Sequence, residues 1–284
     1  MRASHIITSC FLQFFKKCFS NIGARERFYI SSRLGSLFYG YFDIRKKQAR
    51  KNIKNAFPHL KHNQVEKILK NTYLNFSHNF VELVSFPNSY KNIQIVVKGE
   101  RILQSFLKQK KGIVFITGHF GAWEILGQWV ARKVPLFVGV AQKQKNKGAH
   151  NFFINQRELA GTKHIIKGNS VKEMYKVLSN NGLLGLVSDQ DAKSKGVFVD
   201  FFGTPASTPK GAALFHINTR APLLLGVCFK ENFKKYHIHF KAINTKNKNL
   251  KEITQEYTSQ LESYIKQYPD QYFWFHRRWK TKKT

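Results

Sequence analysis

The stretch Gly112-Ile113-Val114-Phe115-Ile116-Thr117-Gly118-His119-Phe120-Gly121-Ala122-Trp123-Glu124 constrains the fold more than any other part of the chain. A short apolar run bounded by glycine reads as a central strand. The apolar spacing from Trp123 through Ile125, Leu126 and Trp129 to Val130 then has helical character. His119 therefore falls at the carboxyl end of a strand, where open α/β sheets place ligands and chemistry, and glycines on either side let the backbone turn sharply. Glu124 opens the helix. A histidine folded back over that first turn can offer one ring nitrogen to the carboxylate. This fixes the tautomer, leaves the other nitrogen as a general base and stabilises the imidazolium that forms.

The chain on either side of this stretch alternates. Strand patterns at 93–97, 112–116, 135–140, 164–166 and 183–188 interleave with helical patterns at 100–109, 121–132, 149–160 and 170–180. Alternation of this kind requires right-handed crossovers and helices on the faces of a sheet. Beyond Gln190 the pattern becomes strand 197–202, helix 209–218, strand 222–229, strand 236–243 and helix 251–267. The expected class is α/β: a mixed, largely parallel sheet flanked by helices and preceded by N-terminal membrane-associating helices. Residues 1–44 form that helical segment and 45–284 the α/β domain. Val65, Leu69, Tyr73, Phe76, Phe80 and Leu83 define one more amphipathic helix, a scaffold element that stops before Pro87. Tyr236-His237-Ile238-His239-Phe240 alternates cleanly, which puts both histidines on one solvated sheet face and not among ligands.

Charge narrows the partners. The formal net charge is +32, a surface that seeks nucleic acid, anionic membrane, or an acidic protein or lipid. Zinc-ligand spacing and aromatic ribonucleoprotein signatures are missing, and nucleic acid is not expected. Phenylalanine, by contrast, occurs 26 times, which favours the membrane surface. Residues 3–19 and 28–44 mix aromatics with cations and lack the about 20 uninterrupted apolar residues of a clean span, so an interfacial placement fits them better. The cluster Arg45, Lys46, Lys47, Arg50, Lys51 and Lys54 would then meet anionic headgroups on the cytoplasmic side. Cys10, Cys18 and Cys228 form no C-x-x-C pair, which argues against a disulfide framework or a zinc site. No metal and no cofactor is expected.

His119 through Glu124 resembles the His-x4-Asp/Glu motif of the glycerolipid and lysophospholipid acyltransferase superfamily. Its surroundings resemble the lipid A biosynthesis (lauroyl/myristoyl) acyltransferase branch: Asn52 to Pro58, Ser188-Asp189-Gln190-Asp191, Val199 to Ala206 with Thr208 and Gly211, and Tyr272 to Trp279. The likeness runs from about residue 45 to the end. The Phe-Pro-Glu-Gly-Thr element of glycerol-phosphate acyltransferases is absent, which argues against a simple glycerolipid acceptor. The resemblance implies acyl transfer from an acyl-acyl carrier protein thioester to a hydroxyl of a phosphorylated, Kdo-bearing lipid A precursor, on the cytoplasmic face of a bacterial inner membrane. A different glycolipid or phospholipid acceptor is the alternative, as is a non-enzymatic basic membrane or nucleic-acid binding protein.

Several other residues enter as candidates for the site. Arg157 matches the arginine that the family carries at this distance beyond the histidine, and its fork suits a phosphate or a polarised carbonyl. Asp189 ends the apolar strand Leu183 to Val187, so parallel pairing would stand it beside His119, with Arg157 as its expected partner and Gln190 following. In Thr208-Pro209-Lys210-Gly211, a threonine N-cap and a proline at the first helical position would start a helix, with Lys210 at an anion site. Arg277 and Arg278, set among terminal aromatics, suit a phosphorylated or carboxylated glycolipid.

Overall fold

The computed structural model describes residues 3–168 and 171–283; residue 170, the expected start of helix 170–180, lies outside them. Four helices lead the chain: α1 (Ala3–Ser20), α2 (Ala24–Tyr41), α3 (Lys46–Ala56) and α4 (His62–Val84), with a short α5 (Asn88–Lys91) closing the group. The alternating half follows as β1 (Gln94–Lys98), α6 (Glu100–Lys108), β2 (Ile113–Thr117), α7 (Trp123–Lys133), β3 (Phe137–Ala141), α8 (Lys147–Glu158), β4 (Lys163–Ile166), α9 (Val171–Ser179) and β5 (Leu183–Val187). A hairpin, β6 (Val197–Phe201) and β7 (Thr204–Thr208), precedes α10 (Gly211–Thr219), β8 (Leu223–Lys230), β9 (Lys235–Ala242) and α11 (Leu250–Gln267).

Seven strands form one sheet in the order β1-β9-β8-β2-β5-β3-β4. Every neighbouring pair is parallel except β8 with β9, which are antiparallel. The sheet is therefore mixed and largely parallel, with helices on its faces. The central strands β2 and β5 are apolar along nearly their whole length because both faces are covered. Val114 and Ile116 of β2 join the core beneath α10 and α11, while Ile113 and Phe115 join the core beneath α6 and α7. Period-2 alternation thus feeds two cores from one strand, and each fully buried side chain contributes about 1.5–3 kcal/mol.

Four expectations need correction. Strand 197–202 is half of a hairpin: Phe202 and Gly203, both at positive φ (56° and 71°), make a two-residue turn, and Thr204–Thr208 pairs back on Val197–Phe201. Pro205 hides that return strand, since proline donates no ladder hydrogen bond, and it is tolerated here in a two-stranded ribbon. The last helix of that region starts at Gly211, after Lys210, and Thr208 belongs to β7 and caps nothing. His237 and His239 do share a sheet face, but it is half covered: His237 stacks on Phe229 and bonds Glu231, and His239 lies against Tyr264 of α11.

The fourth correction concerns α4. Val65, Leu69, Tyr73 and Leu83 are buried as the apolar period requires, but Phe76 is 42% exposed, and Ser77, His78, Asn79 and Glu82 are buried as well. The polar side of α4 turns inward because it has partners there.

Helices α1 and α2 pack on this body. Gly35 of α2 lets the backbone of α4 approach so closely that a Cβ would stand 2.8 Å from the Leu74 Cα. On α1, Asn146 donates to the Thr8 hydroxyl and Lys16 to Gln156 of α8. Ile6, Ile7, Phe11 and Phe14 of α1 and Tyr29, Ile30, Leu37, Phe38 and Tyr41 of α2 stay exposed. Among the described residues, no helix is long and apolar enough to cross a membrane.

Candidate active site

The loop between β2 and α7 is clamped by four hydrogen bonds from three elements. Ala122 N–H donates to the Cys228 carbonyl and Gly121 N–H to the Gln271 carbonyl, both at 2.7 Å; Phe273 N–H donates to the His119 carbonyl at 3.0 Å. The Asn79 amide of α4 donates to the Gly121 carbonyl at 2.6 Å. Gly121 has φ of +58°, and a Cβ there would fall 1.9 Å from the Cys228 carbonyl oxygen, so only glycine fits. The loop that carries His119 is thus held by α4, β8 and the C-terminal segment, in addition to the elements it connects.

Parallel pairing of β2 with β5 sets Thr117 opposite Val187, and Ser188 N–H donates to the Thr117 carbonyl at 2.9 Å. The chains leave the sheet side by side, and Asp189 meets His119. One carboxylate oxygen accepts from the His119 backbone N–H at 3.1 Å, and the other lies 2.9 Å from Nδ1. An ionised carboxylate only accepts, so Nδ1 carries the proton and Nε2 keeps its lone pair. The Asp189 side chain is 2% exposed, the His119 side chain 27%, so the carboxylate is sealed and the ring is reachable. Burial pushes the imidazole down, but the Asp189 carboxylate, in direct contact, and Glu124 beyond it together raise it above its ordinary value. Burial likewise pushes Asp189 up, and His119 more than offsets this to leave the carboxyl below its usual range.

Glu124 does not hold His119. Its two oxygens take the Arg157 fork, Nε at 3.0 Å and Nη2 at 2.6 Å, and accept from the Trp123 indole at 3.1 Å. The expected pairs are therefore exchanged: Asp189 serves the histidine and Arg157 serves Glu124. The reason is directional. Glu124 sits on α7 pointing toward α8, where Arg157 lies, while β5 delivers Asp189 to the histidine backbone. Burial pushes Glu124 up, but the adjacent guanidinium and its hydrogen bonds bring it below the usual carboxylate range. Glu124 reaches His119 through its charge alone.

The other candidates separate. Gln190 stands with Nε2 3.3 Å from His119 Nδ1, next to the nitrogen that Asp189 already occupies. Among the described residues, no hydrogen bond or ion pair joins Lys210 to this cluster. Arg278 is 2% exposed and staples the hairpin, donating to the Ser207 carbonyl at 2.8 Å and to the Thr208 hydroxyl at 2.5 Å, with its guanidinium 4.9 Å from the Phe201 ring centroid. It is structural and does not face a substrate. Arg277 is exposed. Among the described residues, no group of three or more His, Cys, Asp or Glu is arranged to hold a metal ion.

Three contributors carry no sequence signal of the kind that marks His119. Asn79 belongs to the polar side of α4, and nothing in its spacing marks it as buried. Tyr272 places its hydroxyl 3.4 Å from the Asp189 carbonyl, and Phe273 lays its ring 5.6 Å from the His119 ring, with Trp123 at 5.5 Å on its edge. Phe76 and Phe275 extend Phe273 into an apolar wall. Asn52 supports this wall from α3, donating to the Trp274 and His276 carbonyls.

An imidazole oriented by a carboxylate at a sheet edge, with an aromatic wall beside it, is the equipment of an enzyme that activates a hydroxyl next to an apolar chain. A family model for bacterial lipid A biosynthesis acyltransferases matches residues 7–281, and the chain belongs to that family of acyltransferases. It is similar to the phosphatidylinositol mannoside acyltransferase of Mycobacterium tuberculosis (strain H37Rv), 26% identical over 193 residues that cover 66% of this chain and 61% of that protein. It is also similar to the lipid A biosynthesis palmitoleoyltransferase of Escherichia coli K12, 22% identical over 261 residues that cover 89% of this chain and 85% of that protein. The chain thus spans less than two thirds of the length of the mycobacterial relative.

Proposed function

We propose that the protein transfers a fatty acyl chain from an acyl-acyl carrier protein thioester to a hydroxyl of a Kdo-bearing lipid A precursor, at the cytoplasmic face of a bacterial inner membrane. The observation that carries this is the Asp189–His119 pair with Nε2 left free at the sheet edge beside the Phe273 wall. His119 Nε2 takes the proton of the acceptor hydroxyl, and the oxygen attacks the thioester carbonyl directly. Asp189 stabilises the imidazolium. The tetrahedral intermediate then collapses, the carbon–sulfur bond breaks, and the thiolate leaves with the proton returned by His119. Arg157 has a third nitrogen, Nη1, beyond the two bonded to Glu124, and serves the developing oxyanion.

What supports the membrane placement is the set of exposed aromatic and aliphatic side chains on α1 and α2. Because α2 is packed into α4, point substitution tests this better than truncation. Phe11→Ser, Phe14→Ser, Leu37→Ser and Phe38→Ser combined should weaken pelleting with anionic vesicles while leaving the melting temperature nearly unchanged. Unaltered pelleting would rule the placement out.

A second acceptor is favoured by the mycobacterial similarity: a mannosylated or other glycolipid acylated by the same base. One assay separates the two, offering Kdo2-lipid IVA, lipid IVA, a phosphatidylinositol mannoside and lysophosphatidic acid as acceptors. Preference for the Kdo-bearing lipid supports the first reading, and equal or greater turnover of another lipid replaces it.

A further inference from the structure

The C-terminal segment that lays Phe273 on His119 has a second neighbour. With α3 it walls a groove of about 280 Å³ lined in part by Lys51, Asn55, Arg277, Trp279 and Lys280. Through Lys51 and Asn55 this groove continues into a more open depression bordered by Lys47 and Lys54. Lys47, Lys51, Lys54, Arg277, Lys280 and Lys282 are all exposed. Among the described residues, none of them forms an ion pair, and the nearby Arg50 is neutralised by Glu66.

A net charge of +32 scatters cations over the whole surface, but three features single this face out. It is concave. It joins two parts of the chain far apart in sequence, and no ion pair among the described residues offsets the like-charge repulsion between them. It is also tied to the catalytic cluster by shared backbone. Asn52 of α3 bonds the Trp274 and His276 carbonyls, and the Thr281 hydroxyl donates to Asp191, two residues past the aspartate that holds His119.

The chemistry of the lining indicates what kind of anion it meets. A single phosphate is best gripped by a buried, pre-aimed arginine fork, whereas five of these six cations are lysines, hydrated point charges on flexible stems. Lysines spread along an open groove suit distributed negative charge that arrives and leaves, in the manner of a steered protein encounter. We propose that the face formed by α3 and residues 277–282 docks an acidic protein surface, that of the carrier which presents the acyl thioester to His119. This inference rests on the carrier-borne donor proposed above. Docking here brings the thioester arm in along the C-terminal segment, whose Phe273 already touches the base.

The test uses the full-length enzyme with Lys51→Glu, Lys54→Glu and Lys280→Glu combined, and a companion in which the same lysines become Gln. Each is assayed with one acyl chain carried on acyl carrier protein and with the same chain on uncharged pantetheine. The charge-reversed enzyme should show a KM for the carrier-borne donor raised about tenfold or more, with kcat and the pantetheine reaction unchanged. The Gln companion should fall between. In the wild type, added NaCl should raise the carrier KM steeply, and in the reversed variant hardly at all. An unchanged carrier KM in a folded variant overturns the docking face while leaving the donor intact. A raised KM for the lipid acceptor, measured at saturating pantetheine donor, reassigns the groove to the acceptor's headgroup. A wild type that uses the pantetheine thioester but not the carrier overturns the donor reading, and the docking face with it.

Discussion

Two buried carboxylates share the site, Asp189 at the end of a strand and Glu124 at the start of a helix. They are 4% and 9% exposed, and both stay below the usual carboxylate range despite burial. Their partners differ in kind. A guanidinium keeps its charge at any working pH, so Glu124–Arg157 is a fixed ion pair that shapes the field and holds α7 to α8. An imidazole gains and loses its charge near neutrality, so Asp189–His119 is a pair whose proton count changes. Depth alone does not make a carboxylate a partner in proton transfer; what matters is whether the group facing it titrates.

The largest expected effect tests the titrating pair at its source. His119→Ala should lower kcat/KM by about 10²–10⁴ with the fold retained, measured on enzyme from a strain lacking its own acyltransferases. Turnover close to wild type would end the assignment. Next comes Asp189→Asn, which keeps the shape and removes the charge. Because Nε2 must be neutral to act as base, activity rises with pH through the His119 pKa, which lies above the ordinary 6.5. With the Asp189 charge gone, burial dominates and the pKa falls. The acid limb of the kcat/KM profile should therefore shift to lower pH, while the plateau drops because the ring is no longer held. An unmoved acid limb would mean that Asp189 does not set the proton affinity.

How much of this was legible in the sequence depends on whether the information is local. The central strands and their helices follow from runs such as Ile113 to Thr117 and Leu183 to Val187, and parallel pairing of those two runs suffices to bring His119 and Asp189 to one edge. The choice of partner was not legible. Glu124 lies close to His119 along the chain, but side-chain direction on α7 sends it to Arg157, and direction is decided by how α8 packs. The buried polar residues of α4 escaped for the same reason, since Asn79 meets a carbonyl of a distant loop. The return strand β7 escaped because Pro205 opposes strand propensity and the turn at Phe202-Gly203 overrides it.

The fixed pair gives the next two effects. Arg157→Ala leaves Glu124 buried without its cation, and stability should fall by about 3–5 kcal/mol, read by urea or thermal unfolding. Adding Glu124→Gln should recover much of that loss, whereas Asp189→Ala combined with Arg157→Ala should lose the product of the single activity factors, as residues with separate partners do. Strong coupling between Asp189 and Arg157 would instead restore the Asp189–Arg157 pairing that the sequence suggested. Smallest is Glu124→Gln alone: it removes a distant negative charge while Arg157 stays, so the acid limb should move down by less than in Asp189→Asn. A shift as large as that of Asp189→Asn would erase the distinction between the two carboxylates.

The hydrogen bond from Phe273 to the His119 carbonyl joins two segments far apart in the chain. Synthesis runs from the amino terminus, and the sheet strands on both sides of the histidine emerge well before Phe273, Tyr272 and Gln271 do. Until then Gly121 lacks its Gln271 acceptor and the imidazole lacks its aromatic floor. A nascent chain therefore carries the Asp189–His119 pair before residues 271–273 are there to clamp the loop beneath it.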